Sequence, residues 1–137
     1  KVYSPLVAKR TAKVLVALEQ IETLRFADYL AEDGVAVASS QAIIPVTVSS
    51  GDAKYPDNVE QMLKDVFKKL VFLDAAKIAV ECGNIRAANT VLLGAMSNHL
   101  DLPIECWHKA IEIAVDKKYA ELNKKAFEKG LALSLRF

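Results

Sequence analysis

The sequence has almost no net charge and no long run of residues of one charge. Its 137 residues include 18 lysines and arginines against 17 aspartates and glutamates, which gives a formal net charge of +1 at pH 7. A protein that binds nucleic acid or an anionic membrane surface usually carries a basic patch or stripe. We therefore expect no nucleic-acid partner and no membrane partner.

Cysteine is also scarce, since Cys82 and Cys106 are the only two in the chain. They cannot supply the thiolates of a four-cysteine iron–sulfur cluster, and no CxxC motif is present. Their apolar neighbours predict buried, reduced thiols, which are typical of a cytoplasmic protein. The histidines, His99 and His108, lack convergent partners at the spacing of a metal site, so we expect no metal centre.

Long hydrophobic runs and nucleotide-binding fingerprints are missing as well. No apolar segment approaches the ~20 residues that span a bilayer, and the N-terminus does not resemble a signal peptide. The five glycines are scattered and form neither GxGxxG nor a P-loop motif. A GxSxG nucleophile elbow is absent too. The sequence thus has no signature of a dinucleotide, P-loop or α/β-hydrolase site.

Short apolar runs alternate with amphipathic segments in the first part of the chain. The run at 13–18 predicts a buried strand, and 19–34 predicts a helix that Gly34 ends. A second apolar run at 35–40 predicts another buried strand. This order of strand, helix and strand, with short joins, predicts a parallel right-handed crossover unit.

The rest of the chain is predicted to be mainly helical. We expect an edge strand at 43–48, a strand at 70–75, and helices at 58–70, 76–82, 84–100, 102–115 and 119–133. The predicted fold class is therefore α/β, a small three-layer Rossmann-like domain with a short, mostly parallel sheet and a helical C-terminal third. Residues 1–137 are expected to form a single domain that is incomplete at its N-terminus.

The loop SSGDAKYPD, residues 49–57, carries hydroxyl, carboxylate, ammonium and phenol groups just after a predicted strand. One interpretation is a solvated turn that Tyr55 and Pro56 pack down. The other is a loop that contacts a ligand or a neighbouring subunit at the carboxyl edge of the sheet, where open α/β sheets bind their ligands. Both interpretations stay open at this point.

The segment GNIRAAN, residues 83–89, opens a helix rich in small and apolar residues. Asn84 is expected to be its N-cap. Arg86 is unfavourable near the positive end of a helix dipole unless an anion or a carboxylate compensates it. Asn89 lies a turn further on, on a face with small residues, where a buried amide must find partners. Local structural use and contact with a subunit or ligand both stay open for Arg86 and Asn89.

Five motifs occur in an order that resembles the gamma-type domain of 2-oxoacid:ferredoxin oxidoreductases. They are VYSPLV, VLVALE, SSGDAKYPD, LDAAKIAVECGNIRAANTVLLGA and LNKKAFEKG, and the resemblance covers nearly the whole chain. The sequence is most similar to the beta (small) subunit of the indolepyruvate-type enzymes, where an AKYP loop and a GN-RAAN helix occur together. None of the motifs is a catalytic signature.

The resemblance implies a subunit of an enzyme with its catalytic centre on a partner. Such oxidoreductases oxidatively decarboxylate 2-oxoacids, here arylpyruvates, to acyl-CoA and pass electrons to ferredoxin. Thiamine diphosphate and iron–sulfur clusters are expected on a large partner subunit, CoA is the co-substrate, and this chain alone is expected to bind no cofactor. Ferredoxin would then be only an indirect partner.

No catalytic residue is therefore expected in this chain. A set of eight residues is expected to face the partner subunit or CoA: Ser49, Ser50, Asp52, Lys54, Tyr55, Asn84, Arg86 and Asn89.

Family members usually begin with a strand and a glycine-rich turn that have no counterpart near Lys1. We accordingly expect a fragment, or a subunit whose beginning is not included. Two alternatives stay open. One is a free-standing CoA- or nucleotide-binding domain of the doubly wound kind, and the other is a fragment that forms homo-oligomers through an exposed sheet edge.

Overall fold

The computed structural model describes residues 5–44 and 54–134. The chain divides into two compact units, with the boundary between Phe72 and Leu73. The strands are β1 (Ala12–Ala17), β2 (Leu30–Ser39) and β3 (Leu70–Leu73). The helices are α1 (Gln20–Arg25), α2 (Val59–Val66), α3 (Ala75–Cys82), α4 (Ala88–Ser97), α5 (Ile104–Ala114) and α6 (Lys117–Ser134). Short 3-10 helices lie at Ala27–Tyr29 and Ile85–Ala87.

The first unit is built on a parallel sheet with the strand order β1-β2-β3. Val14 pairs with Val35 and Ala17 with Ala38, so the two strands run in step to their carboxyl ends. Their apolar side chains and short length are typical of strands buried in a parallel sheet. The predicted α/β class with a short parallel sheet and a helical C-terminal third is confirmed.

Helix α2 supplies most of the core of this unit. Val59, Leu63 and Phe67 are buried with Ala36 of β2 in one apolar cluster. The spacing of four residues places Val59 and Leu63 on one face of α2, and Phe67 follows directly after the helix. The helix ends at Val66 rather than at residue 70, because Phe67 has already adopted an extended backbone (φ −104°, ψ 116°) that leads into β3.

The predicted helix at 19–34 is wrong over its second half. Helix α1 ends at Arg25, and β2 begins at Leu30, so Gly34 lies inside a strand instead of ending a helix. Leu30 pairs with Ala12 of β1, and this strand pairing overrides the helical spacing of the apolar side chains. A Cβ atom at Gly34 would lie only 3.0 Å from the carbonyl oxygen of Ala12, so the strand is tight there.

The second unit depends on the packing of α4 against α6. Thr90 is hydrogen-bonded to Asn123, and Asn98 donates to the carbonyl oxygen of Leu131, so the two helices run in the same direction. Phe127 of α6 is completely buried. The helix before them, α3, ends as predicted at Gly83, whose φ of 117° is in the left-handed region that favours glycine.

Two further expectations are wrong within the described residues. The predicted helix at 84–100 is split into the 3-10 helix and α4, which ends at Ser97. Cys106 is exposed, whereas Cys82 is buried as predicted.

Most of the predicted edge strand at 43–48 lies outside the described residues, and positions 43–44 are not in a strand. The expectation of a single, N-terminally incomplete domain stays a prediction. Within residues 5–44 and 54–134, no helix has the length and apolar character needed to cross a membrane.

Two glycines set the distance between α4 and α6. A Cβ atom at Gly94 would lie 1.9 Å from the carbonyl oxygen of Phe127, and one at Gly130 would lie 1.8 Å from that of Val91. Both clashes are with backbone atoms, so no side-chain rotation can relieve them. The two helices are therefore in direct backbone contact, which only glycine permits at these positions.

We expect Gly94→Ala to destabilise the protein by about 3 kcal/mol, because the helices must move apart and the buried packing around Phe127 is lost. Gly130→Ala should have a similar effect. Urea unfolding followed by circular dichroism measures both changes. Lys125→Ala, at an exposed position of α6, is the control and should change stability by less than about 0.5 kcal/mol. A neutral Gly94→Ala variant would contradict the direct contact.

Candidate functional site

The eight predicted site residues fall into three groups. Ser49, Ser50 and Asp52 lie outside the described residues, so the structure makes no statement about them. Lys54 and Tyr55 belong to the first unit. Asn84, Arg86 and Asn89 belong to the second. Each unit therefore has its own candidate surface.

The first surface is organised by a buried carboxylate that the sequence did not single out. Glu19 follows the carboxyl end of β1, is only 5% exposed and caps α1. One carboxylate oxygen accepts hydrogen bonds from the backbone amides of Ile21 (2.9 Å) and Glu22 (3.1 Å). The other oxygen accepts from the backbone amide of Ile43 (3.3 Å) and the hydroxyl of Tyr55 (2.5 Å). Glu19 thus joins the helix start to both sides of segment 45–53.

The hydrogen bond from Tyr55 anchors the predicted AKYP loop at the carboxyl end of the sheet. Partial burial of the phenol, followed by its hydrogen bond to Glu19, raises the pKa of Tyr55 above 10.0. Packing of Tyr55 against the core of the first unit agrees with the interpretation in which the tyrosine packs the loop down.

The second surface begins where α3 ends. Asn84 has an extended backbone, and its side-chain oxygen accepts a hydrogen bond from the backbone amide of Arg86 at 3.0 Å. The predicted capping role of Asn84 is therefore seen, although the element it caps is the 3-10 helix at Ile85–Ala87. Since only the side-chain oxygen is used in the cap, the amide NH₂ group remains a donor for another acceptor.

Asn84, Arg86 and Asn89 line one side of a cavity of about 320 Å³ in the second unit. The other side comes from residues 115–123, at the end of α5 and the start of α6. The two sides are joined where the Thr90 hydroxyl donates to the side-chain oxygen of Asn123 at 2.7 Å. Asn123 in turn donates from its NH₂ group to the carbonyl oxygen of Tyr119 at 2.9 Å. The structure thus brings three of the predicted site residues together around one cavity.

One premise about this segment is wrong. Asn89 is exposed, so its amide has water available and does not require protein partners. Arg86 is exposed as well, and it forms no ion pair with any residue in 5–44 or 54–134. The described part of the chain therefore supplies no anion that compensates the charge of Arg86.

A second cavity, of about 370 Å³, lies in the first unit near the start of β2. Its charged lining residues are largely neutralised within the unit. Lys9 pairs with Asp28 at 2.8 Å, and Lys68 pairs with Glu32 at 3.1 Å. The hydrogen bond from Lys9 holds the pKa of Asp28 below its usual value, with a smaller contribution from Arg10. None of the predicted site residues lines this cavity.

Metal-binding geometry is missing from the described ranges: no three histidine, cysteine, aspartate or glutamate side chains there could hold an ion together. His99 instead lies 2.9 Å from the hydroxyl of Ser134, and His108 packs edge-on against Phe127.

Comparison with known proteins identifies the family of this chain. The pyruvate ferredoxin/flavodoxin oxidoreductase family matches residues 1–133. The chain belongs to this family. Its predicted resemblance and its assignment as a subunit of a 2-oxoacid:ferredoxin-type oxidoreductase are thereby confirmed.

Two named relatives support the same assignment. The chain is 33% identical over 135 residues to the indolepyruvate oxidoreductase subunit IorB of Pyrococcus horikoshii, and 36% identical to that of Thermococcus kodakarensis. Each match covers 95% of this chain and 67% of the relative, so the chain spans about two thirds of their length.

A solved structure has a similar fold. The gamma subunit of a keto/oxoacid ferredoxin oxidoreductase from Geobacter sulfurreducens superimposes with a TM-score of 0.65 at 24% identity. The alignment covers 93% of this chain and 66% of the other.

Tyr55→Phe removes the hydroxyl that donates to Glu19, and we expect it to destabilise the protein by about 1.5 kcal/mol. Because the pKa of Tyr55 is raised by folding, the hydroxyl stabilises the fold below pH 10.0, and this contribution is lost as pH rises through the raised value. The stability difference between wild type and variant should therefore shrink above about pH 10. Urea unfolding at pH 7 and at increasing alkaline pH measures it.

Tyr29→Phe, a tyrosine outside the Glu19 cluster, is the matched control for this experiment. It should leave stability within about 0.5 kcal/mol of wild type at pH 7. A Tyr55→Phe variant that behaves like Tyr29→Phe would show that the Glu19 hydrogen bond does not hold this segment.

Proposed function

We propose that the chain belongs to the small subunit of an indolepyruvate-type 2-oxoacid:ferredoxin oxidoreductase. The observation that carries this proposal is the similarity to subunits named indolepyruvate oxidoreductase IorB over 95% of the chain. The family match over residues 1–133 supports the reaction type independently of the substrate. We also propose that the protein acts in the cytoplasm.

The proposed reaction converts an aryl 2-oxoacid to an acyl-CoA. The carboxyl group leaves as CO₂, the acyl carbon forms a bond to the CoA sulfur, and the released electrons pass to ferredoxin. Thiamine diphosphate would supply the carbanion chemistry and iron–sulfur clusters the electron path, both on a large partner subunit. The two cysteines of this chain are too few for a four-thiolate cluster, which supports that division.

The role proposed for this chain is to complete the assembly and to face CoA or the large subunit with two surfaces. The first is the loop held by Glu19 and Tyr55, on which Lys54 lies and to which Ser49, Ser50 and Asp52 would contribute. The second is formed by Asn84, Arg86 and Asn89. The exposure of Arg86 without an ion pair supports contact with a negatively charged group outside the described chain.

Co-purification tests the assignment. We expect the tagged full-length protein to be isolated with a large subunit that contains thiamine diphosphate and iron–sulfur clusters, identified by mass spectrometry and iron analysis. The complex should show indolepyruvate-dependent, CoA-dependent reduction of ferredoxin. Recovery of a stable monomer with no such partner would overturn the proposed function.

Arg86→Ala and Asn89→Ala test the second surface. Both positions are exposed, so each variant should shift the melting temperature by less than about 2 °C while raising the KM for CoA or weakening assembly at least about tenfold. Arg25→Ala is the matched control, since Arg25 is an exposed arginine paired with Glu22 at 2.9 Å in the other unit. If the two variants lower stability and leave assembly and CoA kinetics unchanged, Arg86 and Asn89 have only a structural role.

A further inference from the structure

We propose that the cavity between residues 84–90 and 115–123 is a binding pocket of this chain for a small organic anion, a carboxylate or phosphate group on an apolar body. The cavity is part of the second surface described under the proposed function, and the proposal rests on that function in this respect. The proposal goes further, because it assigns a ligand class and places the site within one unit of this chain.

The charge of the lining is the first support. Arg86 contributes a guanidinium group, and no aspartate or glutamate is among the lining residues. Lys118 lies next to the cavity, with its ammonium group 4.9 Å from the centre of the Tyr119 ring. Asp116 and Glu121 each stand next to a lining residue in sequence, and neither of them lines the cavity. A lining with one cation and no acid attracts anions.

The hydrogen-bonding capacity of the lining is the second support. Thr90 and Asn123 satisfy each other and fix the back of the cavity. The remaining side chains offer donors from the guanidinium of Arg86 and from the NH₂ group of Asn84, whose oxygen is already used in the cap. Asn89 and Tyr119 also line the cavity, and each can donate as well as accept. An acceptor-only group such as a carboxylate or phosphate matches this set, and a planar guanidinium binds both in a bidentate manner.

The size and floor of the cavity limit the ligand. Ala87, Val115 and Leu122 give it an apolar wall, and Ala87 is completely buried. A volume of about 320 Å³ is at the lower end of the range of small-molecule sites. A bare inorganic ion would leave the apolar wall unused. The geometry therefore favours an anion carried on a compact apolar group, such as an aromatic ring.

Isothermal titration calorimetry of the purified full-length protein with phenylacetate tests the pocket. We expect saturable binding at one site, and Arg86→Gln should weaken it at least about tenfold because a charge-assisted contact is lost. Phenylacetamide, which has the same shape without the charge, should also bind at least about tenfold more weakly. Arg25→Gln, the matched control in the other unit, should bind like wild type.

Phenyl phosphate distinguishes the two anions, since it carries the same ring on a different charged group. Tighter binding of either anion than of the amide supports the pocket and identifies the preferred group. Val115→Phe should block binding by filling the apolar side, and its melting temperature shows whether it is folded. Absence of saturable binding, or equal binding of acid and amide, would overturn the proposal. A protein that binds no probe and still co-purifies with the large subunit contradicts the pocket alone.

Discussion

Direct backbone contact between α4 and α6 is the constraint on which the second unit depends. Gly94 and Gly130 let each helix approach a carbonyl oxygen of the other, at a distance that no side chain would allow. This approach brings Thr90 within 2.7 Å of Asn123, and that pair closes the back of the cavity beside Arg86. The candidate pocket is therefore a consequence of two glycines that do not line it.

A buried carboxylate has the corresponding role in the first unit. Glu19 accepts hydrogen bonds from the first turn of α1, from Ile43 and from Tyr55, and so joins residues on both sides of segment 45–53 to the carboxyl end of β1. Burying such a group is costly unless its oxygens are satisfied, and here both oxygens have donors. The arrangement lets a loop that carries polar side chains remain anchored to a small, largely apolar unit.

The sequence predicted the elements whose signal is local and missed those decided by pairing across the chain. Gly83 ends a helix and Asn84 caps the next turn because both roles depend on a few neighbouring residues. The helical spacing of apolar residues runs from Ile21 to Leu30, and only the pairing of Leu30 with Ala12 reveals that a strand begins there. Glu19 was missed for the same reason, since its partners at 43 and 55 are distant in sequence.

The most informative sequence clue about the site was the unfavourable position of a cation near a helix start rather than a motif. A cation near the positive end of a helix should be compensated, and the described chain supplies no acidic partner for Arg86. The part of the clue that concerned Asn89 was wrong, because burial was inferred from small neighbours and the side chain is exposed. What survives is an arginine held beside an apolar cavity whose lining contains no acidic residue.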